Sequence, residues 1–281
     1  NPLCFLSPNF TEFEKKNILK QSNYSMVISD KKFGKKNQKY KKFYFKIRKN
    51  KKKLKKKDAF IIFTSGTTSS PKGVILPDRS IKKNVEGIID QLKFNSKDRT
   101  IIYSPPNYAM GVSQVITFLY LKCSFLFDNN GIKFVNDFLN KIKKYKIKIL
   151  NLNIASFRYI KIFRKKFMVP SLRIVMSGGM KMNYIDALEI FNFFGNKFTV
   201  NFYGCTENSP RVSHFKFSKR DLKKFKDSSS LPVGKPILGT KIFIKSSKKI
   251  DVKKKGEIIL SGNSMMSGYL NERKSEKKII N

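Results

Sequence analysis

Apolar residues follow two rhythms along this chain: short continuous runs, and longer stretches spaced by three and four. The runs at 59–63, 100–103, 147–152, 173–176, 197–202 and 256–260 have the length of strands. Helical spacing is clearest from Ser80 to Leu92, where Ile81, Val85, Ile88, Ile89 and Leu92 recur on one side. Further helices are predicted at about 113–121, 132–145 and 183–194. Near the start, 9–20 reads as a short helix with Phe10, Phe13, Ile18 and Leu19 on its apolar side, and 24–28 as a strand. Strand and helix alternate, which predicts an α/β fold with largely parallel strands. Pro232, Gly234, Pro236 and Gly239 then interrupt the rhythm, and a smaller, hairpin-like β region is expected from Lys241 to Leu260. No internal repeat is visible.

Composition changes this picture little. A hydrophobic share of 40% in 281 residues is enough for a true core. No apolar run approaches the roughly 20 residues that span a bilayer. Cys4, Cys123 and Cys205 lie far apart without metal-ligand spacing, and read as reduced thiols of a cytoplasmic protein. Charge stands out more: 60 basic against 19 acidic residues give a formal +41. A polyanion partner is one explanation. The other is compositional: Lys, Asn, Ile and Phe, the products of AT-rich codons, crowd a chain without Trp. The basic residues spread over the whole length instead of forming a stripe, which favours the compositional origin. Non-specific, salt-sensitive adhesion to nucleic acid would follow from either. From Lys46 to Lys57 nearly every residue is cationic, and self-repulsion predicts an exposed linker there.

The chemistry concentrates in the segment Thr64-Ser-Gly-Thr-Thr-Ser-Ser-Pro-Lys-Gly-Val74, read as a loop that leads from a strand towards a helix. Hydroxyls at Thr64, Ser65, Thr67 and Thr68, flexible Gly66 and Gly73, and the ammonium of Lys72 suit one task, surrounding phosphate oxygens. The nucleoside-triphosphatase loop G-x-x-x-x-G-K-[ST] does not fit, because Pro71 stands at its second glycine and Gly73 at its hydroxyl residue.

This loop resembles the signature [ST]-S-G-[ST]-T-G-x-P-K-G-V of the adenylate-forming superfamily, which includes acyl-CoA synthetases, nonribosomal peptide adenylation domains and luciferases. Ser69 stands where that signature has glycine, so a backbone conformation costly for a Cβ is expected there. Three further segments match in the superfamily's order. They are Ser177-Gly-Gly-Met180, Asn201-Phe-Tyr-Gly-Cys-Thr-Glu207, and Val233-Gly-Lys-Pro236 with Gly256-Glu-Ile-Ile-Leu-Ser-Gly262 and Gly268-Tyr269.

The resemblance implies ATP and Mg²⁺ as cofactors. Thr64, Ser65, Gly66, Thr67, Thr68 and Lys72 would hold phosphates, and Gly178, Gly179, Phe202, Tyr203 and Gly204 would form the adenine and acyl surfaces. Thr206 would donate to the α-phosphate, and Glu207, a hard oxygen ligand, would hold the metal. The implied reaction joins a carboxylic acid to AMP with release of pyrophosphate, followed by transfer to CoA or a carrier-protein thiol. His214 is given no catalytic role and is expected on a loop or at the surface.

At Pro105-Pro-Asn-Tyr-Ala-Met-Gly111, acyl-CoA ligases usually carry P-x-x-H-x-x-G, so Tyr108 takes the histidine's place and Tyr108 and Gly111 become candidates for the acyl pocket. Amino-acid-activating members commonly place an aspartate near this point. No Asp or Glu occurs between Arg99 and Phe127, which favours an acid without an α-amino group and the acyl-CoA-synthetase-like branch. The resemblance divides the chain into a partial N-terminal part with the basic linker (1–57), an ATP-binding α/β core (58–230) and the start of a β subdomain (231–281). The T-G-D, the hinge and the small C-terminal domain with its lysine do not appear, so these residues read as a piece of the large N-terminal domain, inactive alone. Two alternatives stay open: a nucleotide-binding remnant without catalysis, and a basic nucleic-acid-binding protein.

Overall fold

The structure, a computed structural model, describes residues 3–4, 6, 11–22, 26–29, 38–40, 43–47, 58–64, 72–245 and 256–270. Helix α1 (Glu12–Ser22) precedes strands β1 (Met26–Ser29), β2 (Gln38–Tyr40) and β3 (Phe43–Ile47), which form a small antiparallel sheet. The hairpin β4 (Asp58–Thr64) and β5 (Lys72–Pro77) runs directly into α2 (Asp78–Leu92). There follow β6 (Arg99–Ile102), α3 (Ala109–Tyr120), β7 (Ser124–Phe127), α4 (Val135–Lys144), β8 (Ile149–Asn151), α5 (Ile154–Phe163), β9 (Ile174–Gly178), α6 (Tyr184–Phe194) and β10 (Phe198–Gly204). Beyond them lie β11 (Arg211–Phe217), the short α7 (Lys219–Leu222), β12 (Lys235–Pro236), the paired β13 (Thr240–Lys245) and β14 (Glu257–Gly262), and β15 (Gly268–Tyr269).

The main sheet has the order β12-β11-β10-β9-β8-β6-β7. From β7 to β10 all neighbours are parallel, while β11 and β12 join antiparallel. Period-two alternation explains why these strands read as unbroken apolar runs, since both faces are covered. Ile149, Ile174, Met176 and Val200 face Ile88 and Leu92 of α2 and Phe118 of α3. Leu150 and Val175 face the other way, onto Phe138 of α4, Phe157 of α5 and Ile190 and Phe194 of α6. Local signals reinforce the helices. Asn183 and Asp186 form a reciprocal cap at the start of α6, and Gly195, in the left-handed region, ends it. At the entry ends of β6 and β9, Arg173 reaches the buried Asp98 at 2.7 Å and ties two elements far apart in sequence.

Helix α2 joins two layers. Its Ile81 and Val85 pack on Ile62, Val74 and Leu76 of the β4–β5 hairpin, and its Ile88 and Leu92 pack on the main sheet. The three-stranded sheet β15-β5-β4 thereby lies beside the main one.

The expected α/β architecture is present, with differences that have physical causes. The segment after Thr64 does not lead to a helix but to β5, an apolar run too short to stand out until β4 and β15 pair with it. In α1, Ile18 is buried as expected whereas Phe13 is 73% exposed, and Phe10 lies outside the described residues. Strand β3 runs to Ile47, so the cationic stretch begins inside a strand, and 48–57 lie outside the described residues. Helix α5 carries a legible start in Asn153, whose side chain accepts from the Ser156 amide at 2.7 Å.

Candidate functional site

The parallel strands β8, β9 and β10 end on one edge of the main sheet, the edge where open α/β sheets bind ligands. Strand β9 ends at Gly178, opposite Phe202 of β10. A Cβ on Gly178 would sit 2.2 Å from the Phe202 ring, so only glycine lets this aromatic lie flat against the neighbouring strand. At the end of β10, a Cβ on Gly204 would meet the Pro210 carbonyl oxygen at 2.1 Å. The chain then folds back through Cys205 and a tight turn over Thr206–Asn208 into β11. Gly179 is exposed beside this edge, while the Phe202 side chain turns inward and Tyr203 remains part-exposed.

The turn places Glu207 beside two residues from the other sheet. Strand β15 adds to β5, with the Leu270 amide donating to the Gly73 carbonyl at 2.6 Å and the Met266 amide donating to the Glu207 carbonyl at 2.8 Å. This pairing brings the Tyr269 hydroxyl to the Glu207 carboxylate, which accepts its proton at 2.9 Å. The Lys72 ammonium lies 5.1 Å from the centre of the same Tyr269 ring. Thr64 and Lys72 face each other at the mouth of the hairpin, the Thr64 hydroxyl 3.4 Å from the Lys72 carbonyl oxygen. Ser65, Gly66, Thr67, Thr68, Ser69 and Pro71 lie outside the described residues. The structure therefore joins both ends of the hydroxyl-rich loop, the Glu207 turn and the Gly268-Tyr269 pair, which the sequence presents as separate segments.

Electrostatics at this edge are strong. The Tyr203 phenol is pushed above its usual value, first by burial and then by the neighbouring Cys205 and Glu207. Burial, followed by the charge of Glu207, pushes the Cys205 thiol up to about 11, so it stays protonated at neutral pH. Among the described residues no three His, Cys, Asp or Glu side chains could hold a metal together. A single carboxylate held by the Tyr269 hydroxyl, with the Lys72 ammonium over the same ring, instead suits Mg²⁺, which keeps waters and substrate phosphates among its ligands.

Tyr108 occupies the position before α3 without a side-chain capping bond, and half its surface is exposed. Gly111, one turn later, is pressed against the Ser104 and Pro105 carbonyls and leaves no space for a side chain.

Three residues of this region escape a sequence reading. Asn84 sits on the buried stripe of α2, and its amide donates to the Asn208 carbonyl at 2.8 Å and the Arg211 carbonyl at 2.7 Å. Its position between Ile81 and Val85 is the signal, a polar residue at a core position. Arg211 is fully buried, with its guanidinium 3.5 Å above the Phe202 ring, and burial pushes its pKa down to about 9. His214 is not at the surface as expected, but in the interior of β11 at 4% exposure. Its strand is antiparallel and buried, and the polar pattern Arg-Val-Ser-His hides it.

Burial, then the charge of Arg211, lowers the His214 pKa to about 3. Between that value and the ordinary 6.5 the unfolded chain takes up a proton that the folded one refuses. Stability is thus intact above pH 6.5 and falls as pH drops towards 3, by about 1.4 kcal/mol per pH unit from this group. Urea unfolding at pH 7.5, 6 and 5 should show a shallower acid slope in His214→Leu than in the parent. Equal slopes would refute the assignment.

A model of the family described as AMP-binding enzyme matches residues 3–270. Bacitracin synthase 1 of Bacillus licheniformis is 25% identical over 230 residues, covering 79% of this chain and 4% of that protein. The D-alanine–D-alanyl carrier protein ligase of Streptococcus equi is 25% identical over 223 residues, 75% of this chain and 42% of that protein. The fold is similar to that of an O-succinylbenzoate coenzyme A synthetase from Bacillus subtilis solved in complex with ATP and magnesium ion. The TM-score is 0.66 at 20% identity, covering 81% of this chain and 46% of that one. The chain thus spans less than half the length of each of these proteins. No helix among the described residues is long and apolar enough to cross a membrane.

Proposed function

The chain belongs to the AMP-binding enzyme family, and from that premise we propose that its protein activates a carboxylic acid as an acyl-adenylate at the expense of ATP. The observation that supports this best is the Glu207 carboxylate, held by the Tyr269 hydroxyl at 2.9 Å next to Lys72. In this reading the Tyr269 side chain gathers a carboxylate for the metal and a cation for the phosphates.

In this reading Lys72 and the hydroxyls of Thr64, Ser65, Thr67 and Thr68 hold the β- and γ-phosphates, with Gly66 allowing backbone amides to approach. The ring of Tyr203 and the bare backbone of Gly178, Gly179 and Gly204 receive the adenine, with Phe202 supporting them from below. Thr206 donates to the α-phosphate. Glu207 would hold Mg²⁺, whose chemistry is to neutralise charge on the phosphates. A carboxylate oxygen of the acid bonds to the α-phosphorus, and the bond from that phosphorus to pyrophosphate breaks, its electron pair leaving with pyrophosphate. The protein acts by positioning and by charge, with no covalent nucleophile. Tyr108, half exposed at the start of α3, would face the acid, and Gly111 would let α3 pack closely behind it. We place the second step, transfer of the acyl group to a CoA or carrier-protein thiol, outside these residues, and the protein in the cytoplasm.

The test is acid-dependent exchange of labelled pyrophosphate into ATP, run on the full gene product that carries this chain with a broad panel of acids. Exchange with at least one acid is expected. Sound nucleotide binding without exchange for any acid would overturn the reading.

A further inference from the structure

Tyr269 touches both charged groups of the candidate site, and the strand register explains how. β15 pairs antiparallel with β5, with Tyr269 opposite Val74. Lys72 lies two residues before Val74, so it shares a sheet face with Tyr269 as its diagonal neighbour, within reach of an aromatic ring. Its ammonium accordingly lies 5.1 Å from the centre of that ring. The far end of the same side chain reaches the turn after β10, where the hydroxyl donates to Glu207 Oε1 at 2.9 Å.

The junction between the two sheets does not need that hydroxyl to close, because the backbone of 265–270 already fastens it. The Met265 carbonyl accepts from the Ser80 hydroxyl at 2.7 Å, and the Met266 amide donates to the Glu207 carbonyl at 2.8 Å. The Ser267 amide donates to the Ile75 carbonyl at 2.9 Å, and the Leu270 amide to the Gly73 carbonyl at 2.6 Å. The Tyr269 ring rests on the apolar cluster of Ile62, Val74 and Ile81, which fixes its direction. Glu207 is therefore gripped twice by one segment, by its backbone through Met266 and by its carboxylate through Tyr269. A carboxylate offers about four lone-pair positions, so one bond from a hydroxyl orients it and still leaves others for a cation.

Resting on the acyl-adenylate reading above, we infer that Tyr269 is a positioning residue with two separable parts: its hydroxyl sets the Glu207 carboxylate for the metal, and its ring sets the Lys72 ammonium for the phosphates. A hydrogen bond to a metal-binding carboxylate governs how tightly that carboxylate holds the ion. A ring beneath an ammonium steadies it without neutralising its charge, so the cation stays available to an anion.

Three variants of the full gene product test this. Tyr269→Phe keeps the ring under Lys72 and deletes only the hydroxyl, while Tyr269→Leu deletes the ring as well. Ser267→Ala is the control: it removes the 3.3 Å bond from the Ser267 hydroxyl to Asp58 in the same junction and leaves Glu207 and Lys72 untouched. In Tyr269→Phe the Mg²⁺ concentration for half-maximal pyrophosphate exchange should rise about 10-fold, with KM for pyrophosphate near the parent value. Binding of Mn²⁺–ATP without any acid, followed by electron paramagnetic resonance, should weaken to a similar extent. Tyr269→Leu should show the same metal effect and, in addition, a pyrophosphate KM raised about 3-fold. Ser267→Ala should match the parent in all three. Parent-like Mg²⁺ dependence and Mn²⁺–ATP binding in Tyr269→Phe, or an equal shift in Ser267→Ala, would make Tyr269 a structural residue and overturn the inference, leaving acyl-adenylate formation standing. A pyrophosphate KM unmoved in Tyr269→Leu would overturn the part given to the ring. Exchange by the parent protein with no acid at all would instead sink the acyl-adenylate reading, and this inference with it.

Discussion

Glu207→Gln in the full gene product is expected to lower acid-dependent pyrophosphate exchange by at least about 100-fold, the size of losing a fixed charge aimed at a developing transition state. Glutamine keeps the length and volume of the side chain and still accepts from the Tyr269 hydroxyl, now 2.9 Å from the carboxylate. Packing and the β5–β15 junction should therefore survive, and urea unfolding should differ little from the parent. What disappears is the negative charge that would hold Mg²⁺ beside Lys72. Neutral amide oxygens remain possible magnesium ligands but bind it far more weakly than a carboxylate. The diagnostic pattern is a fall in exchange with unchanged stability, partly rescued by raised Mg²⁺. Parent-like exchange would remove Glu207 from the metal role, and lost stability would make it a structural residue of the Tyr269 junction.

The parts of the fold that could be read from the chain are those where one local rule suffices. Leu150 and Val175 sit on the opposite face from Ile149 and Ile174, and helices cover both, so the strands announce themselves as plain apolar runs. The stripe of α2 was equally plain, because its spacing is set by the helix alone. Strands β5 and β11 were not, for opposite reasons. β5 is only a few apolar residues between Gly73 and Pro77, made a strand by partners about a dozen and nearly two hundred residues away. β11 buries Arg211, Ser213 and His214, residue types that ordinarily signal surface.

The candidate site divides along the same line. Hydroxyls, glycines and a lysine in one loop declare an affinity for phosphate by residue type, so Thr64 and Lys72 could be named without a fold. Glu207 carried no such signal by itself and was found through its motif. The partnership of Glu207 with Tyr269 needs β15 to pair with β5, and the burial of Arg211 against Phe202 needs β10 and β11 to pair. Neither arrangement has a local trace. Only buried polar residues out of pattern, Asn84 above all, hint that a long-range network exists.

That network yields the largest expected loss of stability. Asn84→Leu is close to isosteric and even favours the apolar stripe of α2, so a burial argument alone would predict a gain. The bonds point the other way. The Asn84 amide is the donor to the Asn208 carbonyl at 2.8 Å and shares the Arg211 carbonyl, at 2.7 Å, with the Asn208 side chain. Its own oxygen lies 3.3 Å from the Arg211 amide. Leucine leaves the Asn208 carbonyl and the Arg211 amide buried without these partners, each at a cost of about 1–3 kcal/mol. Weighed against about 1 kcal/mol of added apolar burial, the net expectation is a loss of about 3 kcal/mol in urea unfolding. These bonds also fasten the loop between β10 and β11 to α2, and that loop carries Thr206 and Glu207. Exchange should therefore fall further than the folded fraction does, with KM for ATP rising. A variant as stable as the parent would show that the stripe tolerates the unpaired groups. A destabilised variant with normal exchange per folded molecule would show that α2 supports the fold without positioning Glu207.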